Sequence, residues 1–396
     1  MISKFLKSVK YLLILALITV GLVEIGFRVV RKVGWLGLDY GDVFFQERMN
    51  EGGFLIPNQQ VEVINGLGEK VSWINNSKGF RNEREFDYQK PSNVIRVLSI
   101  GDSFTAGYRV GQHETYSAIL ERELNANQDS VKYEVMIASI LNPLQGLEYL
   151  NKYGLKYEPD IVLLGITLGN DISEVFLRLH EYGQDRLTGT QVAENVDFDK
   201  QKIDKEITTE KLPSDSYSPA SEMNDYYDRF IFPKLLKPLF SRTYKGESIF
   251  AIKGKVPPYV HDFTHGLGIY LKNQPESIST AYERLEEVLR AYKELAQTKE
   301  FDFHIGLFPQ RFQVNDLDQL ETIKDYHLKA DAFDWEAPNR IIEQYCAALD
   351  LHFIDPLDDF RKQSDVLYLP NGDMHWNAKG QALMAKAFLE GIWEEQ

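Results

Sequence analysis

An apolar segment that stops abruptly at Gly-Asp-Ser constrains this chain more than any other feature. Residues 94–100 read Val-Ile-Arg-Val-Leu-Ser-Ile, a β-branched run typical of a buried strand, and Gly101, Asp102 and Ser103 follow at once. Open α/β sheets expose reactive groups at the carboxyl ends of such strands. Ser103 is therefore a candidate nucleophile, although the same triplet is also an ordinary turn in which Asp102 or Ser103 caps a helix.

A serine nucleophile needs a base, and a segment near the other end of the chain can supply one. Asp373 lies two residues before His375, within reach of its Nδ1 if the loop curls. That bond would leave Nε2 free to take the serine proton. The alternative is that Asn371-Gly372 forms a turn and Asp373 stays solvated. Asn377 is expected to cap the last helix in either case.

A side-chain donor follows a third apolar segment. Residues 161–166 predict a strand, and Asn170 and Asp171 come shortly after it. Asp171 and Glu174 have the spacing of a capping box, so Asp171 is expected to cap the following helix. Asn170 would then lie at the mouth of that helix, where its amide can donate to a developing oxyanion.

Strands and helices alternate along the chain from residue 91. Such alternation predicts right-handed βαβ units and a parallel sheet, hence an α/β fold. The predicted strands are 95–100, 133–137, 161–166, 303–308 and 351–354, and the predicted helices lie near 114–125, 145–153, from 172, 279–299, 337–349 and 378–393.

The domain organisation follows from where this rhythm holds. Residues 33–90 predict a small β-rich segment, with short strands at 61–64 and 71–74, and residues 91–396 predict the main domain. The rhythm breaks at about 181–276, too long a stretch for a structureless loop, so we expect an insertion with its own structure or a lid. Its many aromatic residues form either a small core or a wall that binds a sugar or acyl group.

Residues 1–32 predict a membrane anchor or signal. The run from Tyr11 to Val23 is apolar apart from Thr19, extends to twenty residues at Val30, and follows three lysines. No small-x-small cleavage site follows it, which favours an uncleaved anchor. The positive charge on the two flanks is similar and does not set the orientation, but a short tail with lysines usually stays inside, so we expect an extracytoplasmic body. A cleaved signal and an ordinary buried helix are the alternatives.

The charge balance limits the partners. The formal net charge is −15 at pH 7, and residues 1–32 are themselves basic, so the rest of the chain is more acidic still. This disfavours nucleic acid or another polyanion as a partner. Cys346 is the single cysteine, which precludes an intrachain disulfide and indicates a small core residue. The sequence carries neither HExxH, paired cysteines nor a Gly-rich phosphate loop, so it predicts no metal and no cofactor.

Three blocks in order resemble the SGNH/GDSL hydrolase superfamily: Gly101-Asp102-Ser103-Phe104-Thr105, Gly169-Asn170-Asp171 and Asp373-Met374-His375-Trp376-Asn377. The resemblance covers about 91–178 and 280–396, and other stretches look like membrane-anchored bacterial members. It implies a flavodoxin-like, doubly wound parallel sheet without a metal cofactor. It also implies that Ser103 is the nucleophile, His375 the base and Asp373 its orienter, with Asn170 and backbone N–H groups as the oxyanion hole.

Two departures from the usual family pattern bear on function. Residues 136–142 contain no glycine where the family has one that donates its N–H to the oxyanion, and Ser139 is the expected stand-in. Asp-x-His replaces the commoner Asp-x-x-His, and the block resembles that of polysaccharide O-acetyltransferases of the same superfamily. The resemblance therefore implies a membrane-anchored serine esterase that acts on an ester, with an acylated carbohydrate as the expected substrate. The alternatives are an O-acyltransferase to a sugar hydroxyl and a catalytically silent envelope assembly or binding protein.

Overall fold

The computed structural model describes most of the chain outside its N-terminus and one long internal stretch. Its contacts divide the chain into two compact units, 1–38 with 210–258 and 39–209 with 259–396, and every element below belongs to the second. The described residues are 55–64, 69–126, 130–181, 267–274, 276–325, 330–363, 366–369 and 374–394, together with Tyr11, Thr19 and Leu22.

The centre of the second unit is a five-stranded parallel sheet. Its spatial order is β4-β3-β5-β6-β7, so the chain leaves β3 to one side for β4 and returns to the other side for β5. This is the flavodoxin-like order, and the predicted α/β class is confirmed. The strands are β3 (Val94–Gly101), β4 (Lys132–Ser139), β5 (Ile161–Thr167), β6 (Asp302–Phe308) and β7 (His352–Ile354).

Helices cover both faces of this sheet. Two further strands, β1 (Gln60–Ile64) and β2 (Lys70–Ile74), form a separate antiparallel pair, as the sequence predicts. The α-helices are α1 (Ser103–Ala106), α2 (Tyr116–Asn125), α3 (Pro143–Lys152), α4 (Asp171–Glu181), α5 (Glu276–Lys299), α6 (Arg311–Val314), α7 (Asp316–Asp325), α8 (Ala337–Ala348), α9 (Leu357–Lys362) and α10 (Ala378–Leu389).

Alternate residues of each strand enter different halves of the core. On β3, Leu98 and Ile100 pack with α3 and α5 residues, whereas Val97 packs with residues of α2 and α10. A sheet buried on both faces requires near-continuous apolar strands, which is why β5 is buried along its whole length. The apolar runs in the sequence are thus a direct consequence of the two helical layers.

The strand order selects one place for chemistry. Where neighbouring connections leave a parallel sheet in opposite directions, a crevice opens at the carboxyl ends of the strands. Here that point lies between β3 and β5. Ser103 follows β3 and Asn170 follows β5, so the fold brings two of the predicted blocks to the same crevice.

Some predictions fall outside the described residues. The insertion at about 181–276 is described only at its two ends, and the N-terminal segment 1–32 only at three positions. Among the described residues, none of the helices has the length and apolarity needed to cross a membrane. The anchor therefore stays a prediction, as does the division at residues 33 and 91. Cys346 is buried in the core, as predicted.

Candidate active site

Ser103 occupies the first turn after the central strand. Its helix, α1, is only four residues long and begins directly at the end of β3. The Asp102 carboxylate accepts a hydrogen bond from the Phe104 N–H at 2.9 Å and so caps this short helix. A side chain at Gly101 would place its Cβ only 2.1 Å from the Thr105 hydroxyl oxygen. Glycine at 101 therefore allows the helix to pack closely against the end of the strand. Asp102 caps this helix, as the turn interpretation predicted, and Ser103 beside it is half-buried.

His375 is held by backbone pairing and by the residue that follows it. The N–H of Leu369 donates to the His375 carbonyl and the N–H of Asn377 to the Leu367 carbonyl, both at 2.9 Å. The intervening Trp376 is fully buried, with its ring centroid 5.0 Å from that of Phe104. Asn377 caps α10 as predicted, since its Oδ1 accepts from two N–H groups of the first turn. These contacts fix the backbone of His375 beside α1.

Two segments that are far apart in the sequence meet at one hydrogen bond. His375 Nε2 lies 2.7 Å from Ser103 Oγ. When imidazole is neutral with its proton on Nδ1, Nε2 accepts the serine hydroxyl proton. This is the contact that a serine nucleophile and its general base require.

Aromatic rings flank the imidazole in a way that the sequence analysis missed. The ring centroid of Phe104 lies 5.0 Å and that of Tyr108 4.6 Å from the centroid of His375. Tyr108 is 2% exposed, so the imidazole packs against a largely dry surface. The only available signal was proximity in sequence, since Phe104 and Tyr108 follow the candidate serine within five residues.

A buried arginine supports the loop that carries Tyr108. The Arg81 guanidinium donates to the carbonyls of Gly107 and Val110, the second at 2.7 Å, and stacks 4.0 Å over the Trp73 ring. Gly107 ends α1 in the left-handed region with a φ of 63°. Arg81 is fully buried and thus joins the segment before the sheet to the loop after the nucleophile.

Asn170 lies at the start of α4, as predicted, but Asp171 does not cap it. The Asn170 carbonyl accepts the Glu174 N–H, so the helix begins one residue earlier than the capping box requires. Asp171 is the first helical residue, and its Oδ2 accepts the N–H of Thr167 at 2.7 Å instead. The prediction of an Asp171–Glu174 capping box is wrong for this reason.

The side-chain amide of Asn170 is bound by Glu174, the residue that the predicted capping box paired with Asp171. Its Nδ2 donates to Glu174 Oε1 at 3.0 Å. An amide nitrogen carries two hydrogens, so one N–H remains for a second acceptor. Glu174 can thereby orient the amide as an oxyanion donor without consuming it.

Two buried carboxyl groups lie behind the nucleophile. Burial raises the pKa of Asp102 above its ordinary value, and the hydrogen bond from the Phe104 N–H works against that rise. Burial raises the pKa of Asp171 further, and the nearby charges of Asp102 and Glu174 add to the effect. When one of these two carboxyl groups is ionised, ionisation of the other becomes less favourable. Asp171 therefore holds its proton more tightly than Asp102 does.

Ser139 ends β4, the strand that flanks β3 on the side away from β5. It pairs in register with Gly101 and is buried, and its hydroxyl donates to the Asp102 carbonyl at 3.3 Å. The residue thus lies beside the turn that carries Ser103. That the backbone N–H of Ser139 donates to an oxyanion stays a prediction.

Asp373, the predicted orienter of His375, lies outside the described residues. The described part of the chain places no group of three or more His, Cys, Asp or Glu side chains where they would hold a metal ion.

Comparison with known proteins gives matches only among solved structures. No family model matches this chain, and no curated protein does. The chain is similar to an acetyl xylan esterase, AlAXEase, at 13% identity over 75% of this chain and 100% of that one, with a TM-score of 0.39. It is also similar to an acetylxylan esterase from Geobacillus stearothermophilus at 14% identity, covering 76% of this chain and 94% of that one, with a TM-score of 0.38.

A third solved structure is a member of the lipolytic G-D-S-L family from Veillonella parvula. It is 15% identical, covers 76% of this chain and 100% of its own, and has a TM-score of 0.35. The fold and the chemistry rest on the residues of this chain. Its strand order is that of the flavodoxin-like α/β fold that the sequence resemblance implied, and Ser103 and His375 are in hydrogen-bond contact after the central strand.

Proposed function

We propose that this protein is a serine esterase that acts through an acyl-enzyme. The proposal rests on the 2.7 Å contact between His375 Nε2 and Ser103 Oγ. This contact lies where the chain connections diverge between β3 and β5, at the carboxyl ends of the strands. Serine alone is a weak nucleophile, and a base in hydrogen-bond contact is what activates it.

The proposed chemistry has two halves. In the first, His375 Nε2 takes the Ser103 proton while Oγ attacks the ester carbonyl, and the same proton then goes to the departing alkoxide. In the second, a water molecule gives its proton to Nε2 and its oxygen attacks the acyl-enzyme, which releases the acid and restores Ser103. Asp373 would hold the Nδ1 proton and stabilise the imidazolium between these transfers.

Negative charge on the carbonyl oxygen needs donors in the same crevice. We assign this role to the second N–H of the Asn170 amide, assisted by the backbone N–H groups of Ser103 and Ser139. The support is positional: α1 begins at Ser103, so its N–H lies in a first helical turn, and β4 and β5 end on either side of β3. Donors fixed before the reaction stabilise the oxyanion without reorganising.

An O-acyl group on a carbohydrate is the proposed substrate. The support is the block Asp373-Met374-His375-Trp376-Asn377, which resembles that of polysaccharide O-acetyltransferases. The same resemblance favours a second candidate, transfer of the acyl group to a sugar hydroxyl. Both reactions form the same acyl-enzyme and differ only in whether water or a sugar hydroxyl attacks it.

One experiment separates an enzyme from a silent protein of this fold. A fluorophosphonate probe should label the wild-type protein and fail to label Ser103→Ala. Acetyl ester turnover, with and without an oligosaccharide acceptor, then distinguishes hydrolysis from transfer. A wild-type protein that never labels, with a Ser103→Ala variant that keeps its cellular function, would exclude the esterase.

A further inference from the structure

We propose that Gln381 is a positioning residue that holds the segment carrying His375 in register with the helix carrying Ser103. This inference rests on the proposed function, because it concerns the alignment of the same nucleophile and base.

The alignment problem arises from the chain itself. Ser103 and His375 are 272 residues apart in sequence and belong to different elements, yet their side chains meet at 2.7 Å. Proton transfer depends steeply on this geometry, and an error of about 1 Å can cost roughly 100-fold in rate. Some direct link between α1 and α10 is therefore needed.

Gln381 provides that link with both ends of one amide. It lies on α10, six residues after His375, and is 1% exposed. Its Nε2 donates to the carbonyl of Phe104, the residue next to Ser103, at 3.0 Å. Its Oε1 accepts the N–H of Tyr116, the first residue of α2, at 2.8 Å.

The two backbone groups require an amide. The Tyr116 N–H is in the first turn of α2, where N–H groups have no partner within the helix, and the Thr115 side chain satisfies only the N–H of Ala118. A buried N–H without an acceptor costs about 1–3 kcal/mol. Phe104 offers a carbonyl and Tyr116 a donor, so the side chain between them must both donate and accept without charge. Glutamine does this, whereas ionised glutamate lacks the donor and methionine lacks both groups.

Backbone pairing and the packing of Trp376 on Phe104 place the segment of His375 beside α1. None of these contacts is a hydrogen bond to α1 or α2. The hydrogen bonds of Gln381 are directional. One of them binds the carbonyl of Phe104, the residue that follows Ser103.

The test compares Gln381→Met with Gln381→Glu. Gln381→Met keeps the length of the side chain and removes both hydrogen bonds. Gln381→Glu keeps an acceptor for Tyr116, and its carboxyl group donates to Phe104 while it is protonated, the form that burial favours. Gln381→Met should lower kcat on the order of 10- to 100-fold with KM within about twofold, and should slow fluorophosphonate labelling of Ser103 by the same factor. Gln381→Glu should restore most of the labelling rate at about pH 6, because the protonated carboxyl makes both hydrogen bonds. Met384→Ala is the control, because Met384 is fully buried on the same helix and its loss lowers stability alone.

A second measurement does not depend on activity. The ¹⁵N resonances of His375 report whether Nε2 accepts a hydrogen bond, and in Gln381→Met they should move to the values of Ser103→Ala. If the wild-type protein neither labels nor turns over esters, the proposed function fails, and these spectra still decide the role of Gln381. A folded Gln381→Met protein with wild-type spectra, or one with the wild-type labelling rate, would overturn the inference.

Discussion

The ring of Tyr108 lies against the imidazole of His375, with centroids 4.6 Å apart, and the loop that carries Tyr108 is fastened by Arg81. The candidate base is thus supported by two other parts of the sequence, Arg81 and the loop that carries Tyr108. A buried guanidinium that donates to two loop carbonyls defines the loop's position, and the loop in turn limits where the imidazole can move. The position of the His375 imidazole therefore depends on the packing of Tyr108 and on the hydrogen bonds of Arg81.

Replacing Ser103 and His375 should give losses that do not add. Ser103→Ala and His375→Ala should each lower kcat by roughly 10⁴-fold or more, and the double variant should be little worse than either, because both groups act in one proton transfer. Steady-state kinetics of acetyl ester turnover on the three folded variants provides the measurement. Losses that multiply would show that the two residues act in separate steps.

Asn170→Ala should lower kcat on the order of 100-fold with little change in KM, because an oxyanion donor acts mainly in the transition state. Glu174→Gln is the matched control: its amide oxygen can still accept from Asn170 Nδ2, so activity should stay near the wild-type value. A rise in KM with unchanged kcat in Asn170→Ala would instead place Asn170 in substrate binding.

Asp171→Asn should change how stability depends on pH. Since burial raises the pKa of Asp171 above its ordinary value of 3.8, the folded protein holds the proton more tightly than the unfolded chain does. The free energy of unfolding must then fall as pH rises from 3.8 to the raised pKa, and Asp171→Asn removes this fall. Urea titrations across this range should show that the free energy of unfolding falls less with rising pH in Asp171→Asn than in the wild-type protein. The variant should be at least as stable as the wild-type protein at neutral pH.

The control for that comparison is Asp331→Asn, which removes an exposed carboxylate of the same charge. It should leave the slope unchanged. A slope as steep in Asp171→Asn as in the wild-type protein would mean that other carboxyl groups, such as Asp102, account for it.

Arg81→Met should loosen the loop that supports His375. The carbonyls of Gly107 and Val110 would lose their donors in a buried site, which costs about 1–3 kcal/mol of unfolding free energy. The kcat should fall together with stability because Tyr108 is no longer held against the imidazole. Arg84→Met is the matched control: Arg84 pairs with Glu121 while partly exposed, and such a pair is worth about 0–1 kcal/mol. Equal effects of the two substitutions would contradict a special role for Arg81.

Residues 1–30 should hold the protein at a membrane with residues 33–396 on the far side from the cytoplasm. A chain shortened to begin near Leu36 should be soluble and keep its activity, since all catalytic candidates lie beyond residue 90. Protease added outside intact spheroplasts should digest the body and leave a short stub. Full protection until lysis would place the body in the cytoplasm, and a mature protein that begins well after Met1 would indicate a cleaved signal.

The strands and the position of Ser103 at the end of β3 could be predicted because their signals are local. The apolar run before Gly101 and the alternation after it depend only on near neighbours, and β3 to β7 lie where the sequence places them. The end of α4 that faces the site could not be predicted as well. Asp171 and Glu174 have capping-box spacing, but the helix begins one residue earlier and the Asp171 carboxylate accepts the N–H of Thr167, a contact with the preceding strand that the spacing does not reveal.

The supporting residues could not be predicted for a different reason. Arg81, Tyr108 and Gln381 act through contacts with segments far away in the sequence, and nothing in their immediate neighbours indicates burial of a guanidinium, a phenol or an amide. Only the three-dimensional pairing of α10 with α1 and α2 gives Gln381 its two partners.

The separation of Ser103 and His375 in the sequence has a consequence for biosynthesis. Because His375 follows Ser103 by 272 residues, a ribosome must add that length of chain before the hydroxyl can meet its proton acceptor. The first half of the sheet, with the nucleophile already at its turn, can fold while the rest is still being made. Until α10 docks, such an intermediate has no proton acceptor beside Ser103, so reactivity toward a fluorophosphonate should appear only after α10 has folded onto α1 and α2.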